Sequence, residues 1–126
     1  DYAGTPIFYY LGLAQYKLGN KNSARIFFKK ALDIAPYHLG VMTNYMIILA
    51  EMGDLDTAYK IMQKIKGIYP RMSKPQLDMS KFFIKAGLYN RAKSILIEME
   101  IDKLDDKYGS SIKLLNLVNK KLKILD

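Results

Sequence analysis

The sequence predicts an all-α fold, a solenoid of stacked helix-turn-helix repeats, and the first reason is a fixed period. Gly19, Gly53 and Gly87 lie 34 residues apart, and Pro36 and Pro70 repeat the same interval. Self-similarity at a period of this length is typical of stacked helical repeats. The 126 residues are enough for one domain that contains three such repeats.

The second reason is that apolar residues recur at helical spacing on both sides of each glycine. Glycine tolerates the left-handed conformation that ends a helix, and proline prevents the following helix from continuing. Each repeat is therefore predicted to be two antiparallel helices joined by a short turn. In chain order, the six predicted apolar stripes are Phe8, Leu11, Ala14 and Leu18; Ala24, Phe27, Phe28, Ala31 and Leu32; Met42, Tyr45, Ile48, Leu49 and Met52; Ala58, Ile61, Met62 and Ile65; Leu77, Phe82, Phe83 and Ala86; and Ala92, Ile95, Leu96 and Met99.

Small residues support this pairing of helices. Ala24, Ala58 and Ala92 share the 34-residue interval. We expect them where the second helix of each repeat crosses the first, because a larger side chain would push the two helices apart. Gly12 would permit a similarly close approach in the first repeat.

The element boundaries follow from residues that begin and end helices. Thr5 before Pro6 is typical of a helix start, with threonine as the N-cap and proline in the first turn. The third repeat has no closing proline, and the acidic connector that follows it, 102–106, is interpreted as a solvated hinge. We expect seven helices in a single domain of residues 1–126, with repeats at about 5–38, 39–72 and 73–104 and a last helix at about 108–125.

The last predicted helix has one apolar side. Leu115, Val118, Leu122 and Leu125 follow a 3-4-3 spacing, and the lysines of this segment lie mostly off that stripe. A terminal capping helix needs this pattern, because it covers the open end of a repeat stack and keeps its other side in water. We interpret the segment as such a cap, with one of the two serines that begin it as the N-cap. A membrane-surface helix or a coiled-coil seam are the alternatives.

Composition limits the classes of function. The chain has no cysteine, which excludes disulfides, thiolate nucleophiles and zinc–thiolate sites and favours a reducing compartment such as the cytoplasm. The longest apolar stretch, 45–50, is too short to cross a bilayer. The first residues lack the basic leader and apolar core of a signal peptide. Because the chain does not begin with Met, we expect it to be a piece of a longer protein.

The net charge of +8 is unevenly distributed. Residues 1–63 hold six Lys and Arg against five Asp and Glu, whereas residues 64–126 hold fourteen against seven. A basic half can attract acidic proteins, nucleic acid or anionic lipid. The simpler interpretation is a lysine-rich surface in contact with water.

Catalytic chemistry has little support in this sequence. His38 is the single histidine and follows a repeat-ending proline, so it is interpreted as a turn residue rather than a general base. Asp102, Asp105 and Asp106 lack the glycine and the glutamate of a calcium-binding loop. Motifs for phosphate, dinucleotide or catalytic zinc are also absent. We expect no enzyme activity, no cofactor and no metal site.

The first repeat resembles the tetratricopeptide repeat (TPR). The resemblance weakens along the chain, because the second repeat keeps Tyr45, Ala58 and Pro70 and the third keeps Ala92 and little else. It implies a right-handed superhelix that acts as an adaptor module of a larger protein and binds a protein or peptide partner. The residues that carry it in the first repeat are Phe8, Leu11, Gly12, Tyr16 (one position beyond the usual tyrosine), Ala24, Phe28, Ala31 and Pro36.

In this family the first helices of the repeats line a concave groove, and the resemblance implies the same here. Three tyrosines beside aliphatic side chains would suit an extended or helical peptide, although each tyrosine could equally belong to the packing between repeats. Lysines from the third repeat would make one end of the groove basic. The residues implied to contact a partner are Tyr9, Tyr10, Leu13, Tyr16, Lys17, Thr43, Asn44, Ile47, Glu51, Lys74, Leu77, Asp78, Lys81 and Lys85.

Residues 44–70 also resemble a pentatricopeptide repeat, an RNA-binding relative. Repeats of that family read bases through polar side chains on the first helix. Asn44 and Asp78 lie at the matching positions, whereas Tyr10 does not suit that role. RNA binding through the same basic face is therefore the alternative function.

Overall fold

The computed structural model describes residues 6–102 and 109–125. In these two ranges the chain forms seven α-helices and no β-strand, which confirms the predicted all-α repeat fold. Thr5, predicted as an N-cap, and most of the connector at 102–106 lie outside the described residues. The helices are α1 (Ile7–Lys17), α2 (Lys21–Ile34), α3 (Leu39–Glu51), α4 (Leu55–Ile68), α5 (Lys74–Lys85), α6 (Tyr89–Ile101) and α7 (Ser110–Leu125).

The three predicted glycine turns have the same geometry. Gly19, Gly53 and Gly87 have φ angles of +84°, +90° and +77°, in the left-handed region that favours glycine. The N–H of the residue after each glycine donates to a carbonyl five residues earlier, which is the hydrogen bond of a Schellman motif. These bonds, 2.8–2.9 Å long, are Asn20 to Gln15, Asp54 to Leu49 and Leu88 to Phe83.

Backbone contacts group the chain into two compact units, Asp1–Ile68 and Tyr69–Asp126, here called unit 1 and unit 2. In unit 1, α2 packs against both α1 and α3, and α3 packs against α4. In unit 2, α6 packs against α5 and α7, and α7 also contacts α5. The single domain of residues 1–126 and its repeat boundaries remain a prediction.

Small residues allow the helix pairs to approach closely, as expected. Ala24, Ala58 and Ala92 are each fully buried. Gly12 is buried too, and a Cβ atom added to it would lie 2.6 Å from two ring carbons of Phe28. That distance is below any normal carbon–carbon contact, so α1 and α2 can pack at this separation because residue 12 has no side chain.

The apolar stripe predicted for α1 is wrong for three of its four residues. Leu11, Ala14 and Leu18 are exposed, and Leu18 retains 71% of its accessible surface. Residues spaced this way share a face of the helix, but α1 contacts α2 through a different face, the one that carries Gly12. Phe8 is the member of the stripe that packs there, because its ring stacks on Phe27 at 6.1 Å between centroids.

In unit 2, α7 covers part of α6. Val118 is fully buried, whereas Leu115 and Leu122 are half-buried, so these three residues of the predicted stripe face inward. The side chain of Leu125 lies outside the described part of the structure. Ser111, one of the two serines expected to cap the helix, lies inside it as the second residue of α7. Its side chain is buried and its Oγ donates to Oε1 of Glu100 on α6 at 3.0 Å.

Candidate functional site

Two hydrogen bonds join α1 to α3 at positions that the sequence analysis assigned to a groove. Asn44 Nδ2 donates to Tyr9 Oη at 3.2 Å, and Tyr16 Oη donates to Glu51 Oε2 at 2.9 Å. Both pairs are separated by 35 residues in sequence. On each helix the two residues are two turns apart, or about 10 Å. The predicted residues of unit 1 are called the α1–α3 face below: Tyr9, Tyr10, Leu13, Tyr16, Lys17, Thr43, Asn44, Ile47 and Glu51.

The Tyr9 side chain is held from several directions. Its ring lies 5.4 Å from the ring of His38 and 6.3 Å from that of Phe28, centroid to centroid. Its hydroxyl lies so close to Gly40 that a Cβ there would be 2.8 Å from Oη. Asn44 Nδ2 also donates to the carbonyl oxygen of Gly40 at 2.8 Å. These contacts restrict the orientation of the Tyr9 side chain in the folded chain.

Two residues that support Tyr9 were not assigned to the site from the sequence. His38 is the N-cap of α3, and its Nδ1 accepts a hydrogen bond from the backbone N–H of Val41 at 3.2 Å. This is a structural role, as expected for the single histidine, and it turns the ring towards Tyr9. Gly40 provides space for the Tyr9 hydroxyl. The sequence does contain one indication of this contact: Gly40 lies in the first turn of α3, where a glycine lowers helix stability and so indicates a need for space.

The pair of Tyr16 and Glu51 has an electrostatic consequence. The hydrogen bond to the Glu51 carboxylate, together with burial and the nearby negative charge, raises the pKa of Tyr16 above its usual value. The other carboxylate oxygen, Glu51 Oε1, is buried and has no hydrogen-bond partner in the part of the chain that the structure describes. An unsatisfied buried acceptor is costly, so this oxygen would gain from a donor group.

The rest of the α1–α3 face is mainly apolar and accessible. The Tyr10 ring contacts the Tyr9 ring, with 5.7 Å between centroids, and Tyr10 remains 57% exposed. Leu13 and Ile47 are half-buried. The Thr43 hydroxyl donates to the Leu39 carbonyl at 2.8 Å, so its proton is already used. Lys17 is exposed in the last turn of α1.

The remaining predicted site residues all lie on α5 and belong to unit 2. Lys74 Nζ and Asp78 Oδ2 form an ion pair at 2.7 Å, in which the Asp78 side chain is largely buried. Leu77 is half-buried, whereas Lys81 and Lys85 are exposed. The pairing reduces the negative charge that Asp78 would otherwise present, and the two exposed lysines give α5 a cationic surface.

Two other kinds of site are absent from the described residues, namely a metal centre and a membrane-spanning helix. No group of three or more His, Asp or Glu side chains is arranged there to hold a metal ion. None of the helices α1 to α7 combines the length and the hydropathy that crossing a membrane requires.

Comparison with known proteins supports the repeat fold. The family model of the tetratricopeptide repeat matches residues 6–38. Among solved structures, the first TPR domain of the human RPAP3 protein superposes with a TM-score of 0.73 at 14% identity, over 94% of this chain and 91% of that one. The Sgt2 TPR domain from Aspergillus fumigatus gives 0.71 at 19% identity, over 96% and 83%.

A third similar structure is pilF of Pseudomonas aeruginosa. It superposes with a TM-score of 0.72 at 21% identity, and the match covers 95% of this chain but 54% of that protein. Identities this low show a shared fold and nothing finer. No curated protein matches the sequence at a significant level.

Proposed function

The chain has the fold of a TPR domain, with a first repeat that matches the family model, and from this premise we propose that it is a protein-interaction module. Its α1–α3 face would bind a short peptide segment of a partner protein. The observation that carries this proposal is the pair of hydrogen bonds, Tyr9 to Asn44 and Tyr16 to Glu51, that hold aromatic side chains in place on that face.

Fixed aromatic side chains favour binding for an entropic reason. Immobilising a free side chain on binding costs about 0.5–1.5 kcal/mol. Tyr9 and Tyr16 have already lost much of that freedom within the folded chain, so a peptide would not have to order them. Tyrosine is also enriched among the residues that dominate interface energies. Tyr10, Leu13 and Ile47 would then supply the apolar contact area.

Glu51 suggests one feature of the peptide. Its Oε1 is buried without a partner in the described part of the chain, while Oε2 accepts from Tyr16. A small shift of the Glu51 side chain would bring Oε1 to a ligand, and a donor such as an N–H group would satisfy it. We therefore expect the peptide to place a hydrogen-bond donor near the end of α3.

The alternative, RNA binding, has less support from the contacts. Asn44 already donates to Tyr9 and Gly40, and Asp78 is paired with Lys74. Both residues would have to break these interactions before they could read a base. The exposed lysines of α5 suit a phosphate backbone, but they also suit an acidic protein.

A capture experiment with and without nuclease tests the proposal. The 126-residue chain is immobilised beside two variants, Tyr10→Ala on the α1–α3 face and Tyr37→Ala as a matched control. Tyr37 is 65% exposed, against 57% for Tyr10, and lies outside that face. We expect a partner that survives nuclease and is retained by the control but lost by Tyr10→Ala. In the binding isotherm, Tyr10→Ala should weaken affinity by about 1–2 kcal/mol.

Two outcomes would count against the proposal. Loss of every partner after nuclease treatment would favour RNA binding. Equal losses for Tyr10→Ala and Tyr37→Ala would mean that the partner binds elsewhere.

A further inference from the structure

Helix α7 carries a second surface that the capping role does not use. Successive residues of an α-helix are rotated by about 100°, so residues 113, 117, 120, 121 and 124 fall within an arc of about 100°. Val118 and Ser111, which face α6, lie on the other side of the helix. The outward strip is called the α7 outer face below and consists of Lys113, Leu117, Lys120, Lys121 and Ile124.

The α7 outer face is both apolar and cationic. Leu117 retains 40% and Ile124 79% of its accessible surface, and all three lysines are exposed. The span Ser110–Leu125 contains four lysines and no acidic residue. Glu100, the acid that bonds to α7, contacts Ser111 on the inward side and so does not neutralise the strip. The three lysines form no ion pair with any described residue.

We propose that the α7 outer face docks on the surface of an anionic lipid bilayer, in addition to the inward capping contact of the same helix. Two aliphatic side chains stand two turns apart with lysines on both sides of them. In a membrane interface the aliphatic groups enter the acyl boundary while lysine ammonium groups reach back to the lipid phosphates. The helix carries no acidic residue, so the charge of this strip complements the phosphates of anionic lipids.

Binding to an anionic bilayer is tested directly with lipid vesicles. We expect the wild-type chain to sediment with vesicles of about 30% phosphatidylserine in phosphatidylcholine and not with pure phosphatidylcholine. Binding should fall steeply when NaCl is raised to about 0.5 M, because salt screens exposed charges. These measurements need no variant and no peptide ligand, so they are independent of the function proposed for the α1–α3 face.

Matched variants then test the location. Lys120→Gln with Lys121→Gln should weaken vesicle binding roughly thirtyfold. The control Lys21→Gln with Lys60→Gln removes the same charge from exposed positions in unit 1 and should have a small effect. Leu117→Ser with Ile124→Ser keeps every charge and should weaken binding roughly tenfold through lost apolar contact. All substituted side chains are exposed, so the melting temperatures should agree with that of the wild type.

The following results would overturn the proposal. If the wild-type chain does not sediment with anionic vesicles at low salt, the proposal is wrong. Equal losses from the α7 lysine pair and the unit 1 lysine pair would mean that net charge, rather than this face, attracts the lipid. A polyglutamate peptide that binds more tightly than the vesicles, and responds to the same α7 lysines, would make the surface a site for acidic protein.

Discussion

Gly12 is the residue at which the packing of α1 is decided. A helical glycine costs about 1 kcal/mol relative to alanine, so a buried one needs a compensating contact. Here the contact is the Phe28 ring, which occupies the space where a Cβ would lie. A single missing methyl group thus selects which face of α1 meets α2.

We expect Gly12→Ala to lower the free energy of unfolding by about 1–3 kcal/mol, because the added Cβ overpacks against Phe28. Gly67→Ala is the matched control, since Gly67 lies in α4, where nothing stands within 4 Å of the added Cβ. That substitution should stabilise slightly, by up to about 1 kcal/mol. Urea unfolding of both variants measures the difference, and a neutral Gly12→Ala would contradict the close α1–α2 contact.

The Tyr16–Glu51 pair predicts a pH dependence. Because the pKa of Tyr16 is raised in the folded chain, the folded state keeps this proton at a pH where the unfolded chain loses it. The stability from the pair is therefore complete below about pH 10 and decreases as the pH rises through the folded pKa. Tyr16→Phe should cost about 0.5–1.5 kcal/mol at pH 7. It should also flatten the alkaline decline of stability.

Urea unfolding between pH 7 and 11 checks this prediction. Tyr10→Phe is the control, because it removes a hydroxyl group from an exposed tyrosine, whereas the hydrogen bond to Glu51 comes from Tyr16. If the wild type and Tyr16→Phe lose stability with the same slope above pH 10, the hydrogen bond to Glu51 is not made in solution.

At the scale of elements, helices α4 and α7 each have one face that packs against a neighbouring helix and an opposite face that is exposed. Ala58 of α4 and Val118 of α7 are fully buried, and these helices pack against α3 and α6 respectively. Both contacts follow the periodicity of apolar residues. The opposite faces of the same helices carry lysines, which keeps them in water or at a lipid surface.

Ala58→Leu should lower stability by about 1–3 kcal/mol, because three additional carbons have no space between α3 and α4. Ala14→Leu makes the same chemical change at an exposed position of α1 and should alter stability by less than about 0.5 kcal/mol. Thermal unfolding of the two variants measures the contrast, and an unchanged Ala58→Leu would mean that the second repeat has another register.

Neighbouring residues of α7 test its capping role. Val118→Ser leaves a cavity and buries a hydroxyl group, and should cost about 2 kcal/mol. Leu117→Ser changes the exposed side of the same turn and should leave stability nearly unchanged. Should both variants unfold like the wild type, α7 would be an accessory helix rather than a cap.

For the whole molecule, the charge distribution separates the two candidate ligands. Most of the excess positive charge lies in residues 64–126, whereas the α1–α3 face lies in the nearly neutral first half. A peptide held by apolar anchors should bind with weak salt dependence, because buried apolar contacts are not screened. RNA would lose affinity steeply with salt, by about one unit of slope for each phosphate contact.

Measuring the affinity of the captured ligand against NaCl concentration therefore distinguishes the functions. We expect a slope near zero and a loss of affinity in Tyr9→Ala, Tyr10→Ala and Ile47→Ala. A steep dependence of affinity on NaCl that becomes weaker in Lys81→Gln or Lys85→Gln, with no effect of the tyrosine changes, would show that the ligand is RNA rather than a peptide.

The sequence by itself determined the helices, their turns and the repeat. These depend on local physics: glycine at positive φ, proline without an N–H group, and apolar residues at helical spacing. It also placed Tyr9, Tyr16, Asn44 and Glu51 on one candidate face, through the resemblance of the first repeat.

The tertiary structure alone decided which side chains meet. Leu11 and Leu18 looked like core residues, yet α1 buries the face of Gly12 instead. The sequence pattern also did not indicate the space that Gly40 leaves for the Tyr9 hydroxyl, or the buried Glu51 Oε1 that lacks a partner among the described residues. Periodicity along one helix specifies which residues share a face, but the identity of the buried face depends on the position of the neighbouring helix, and that position is set by packing between distant parts of the chain.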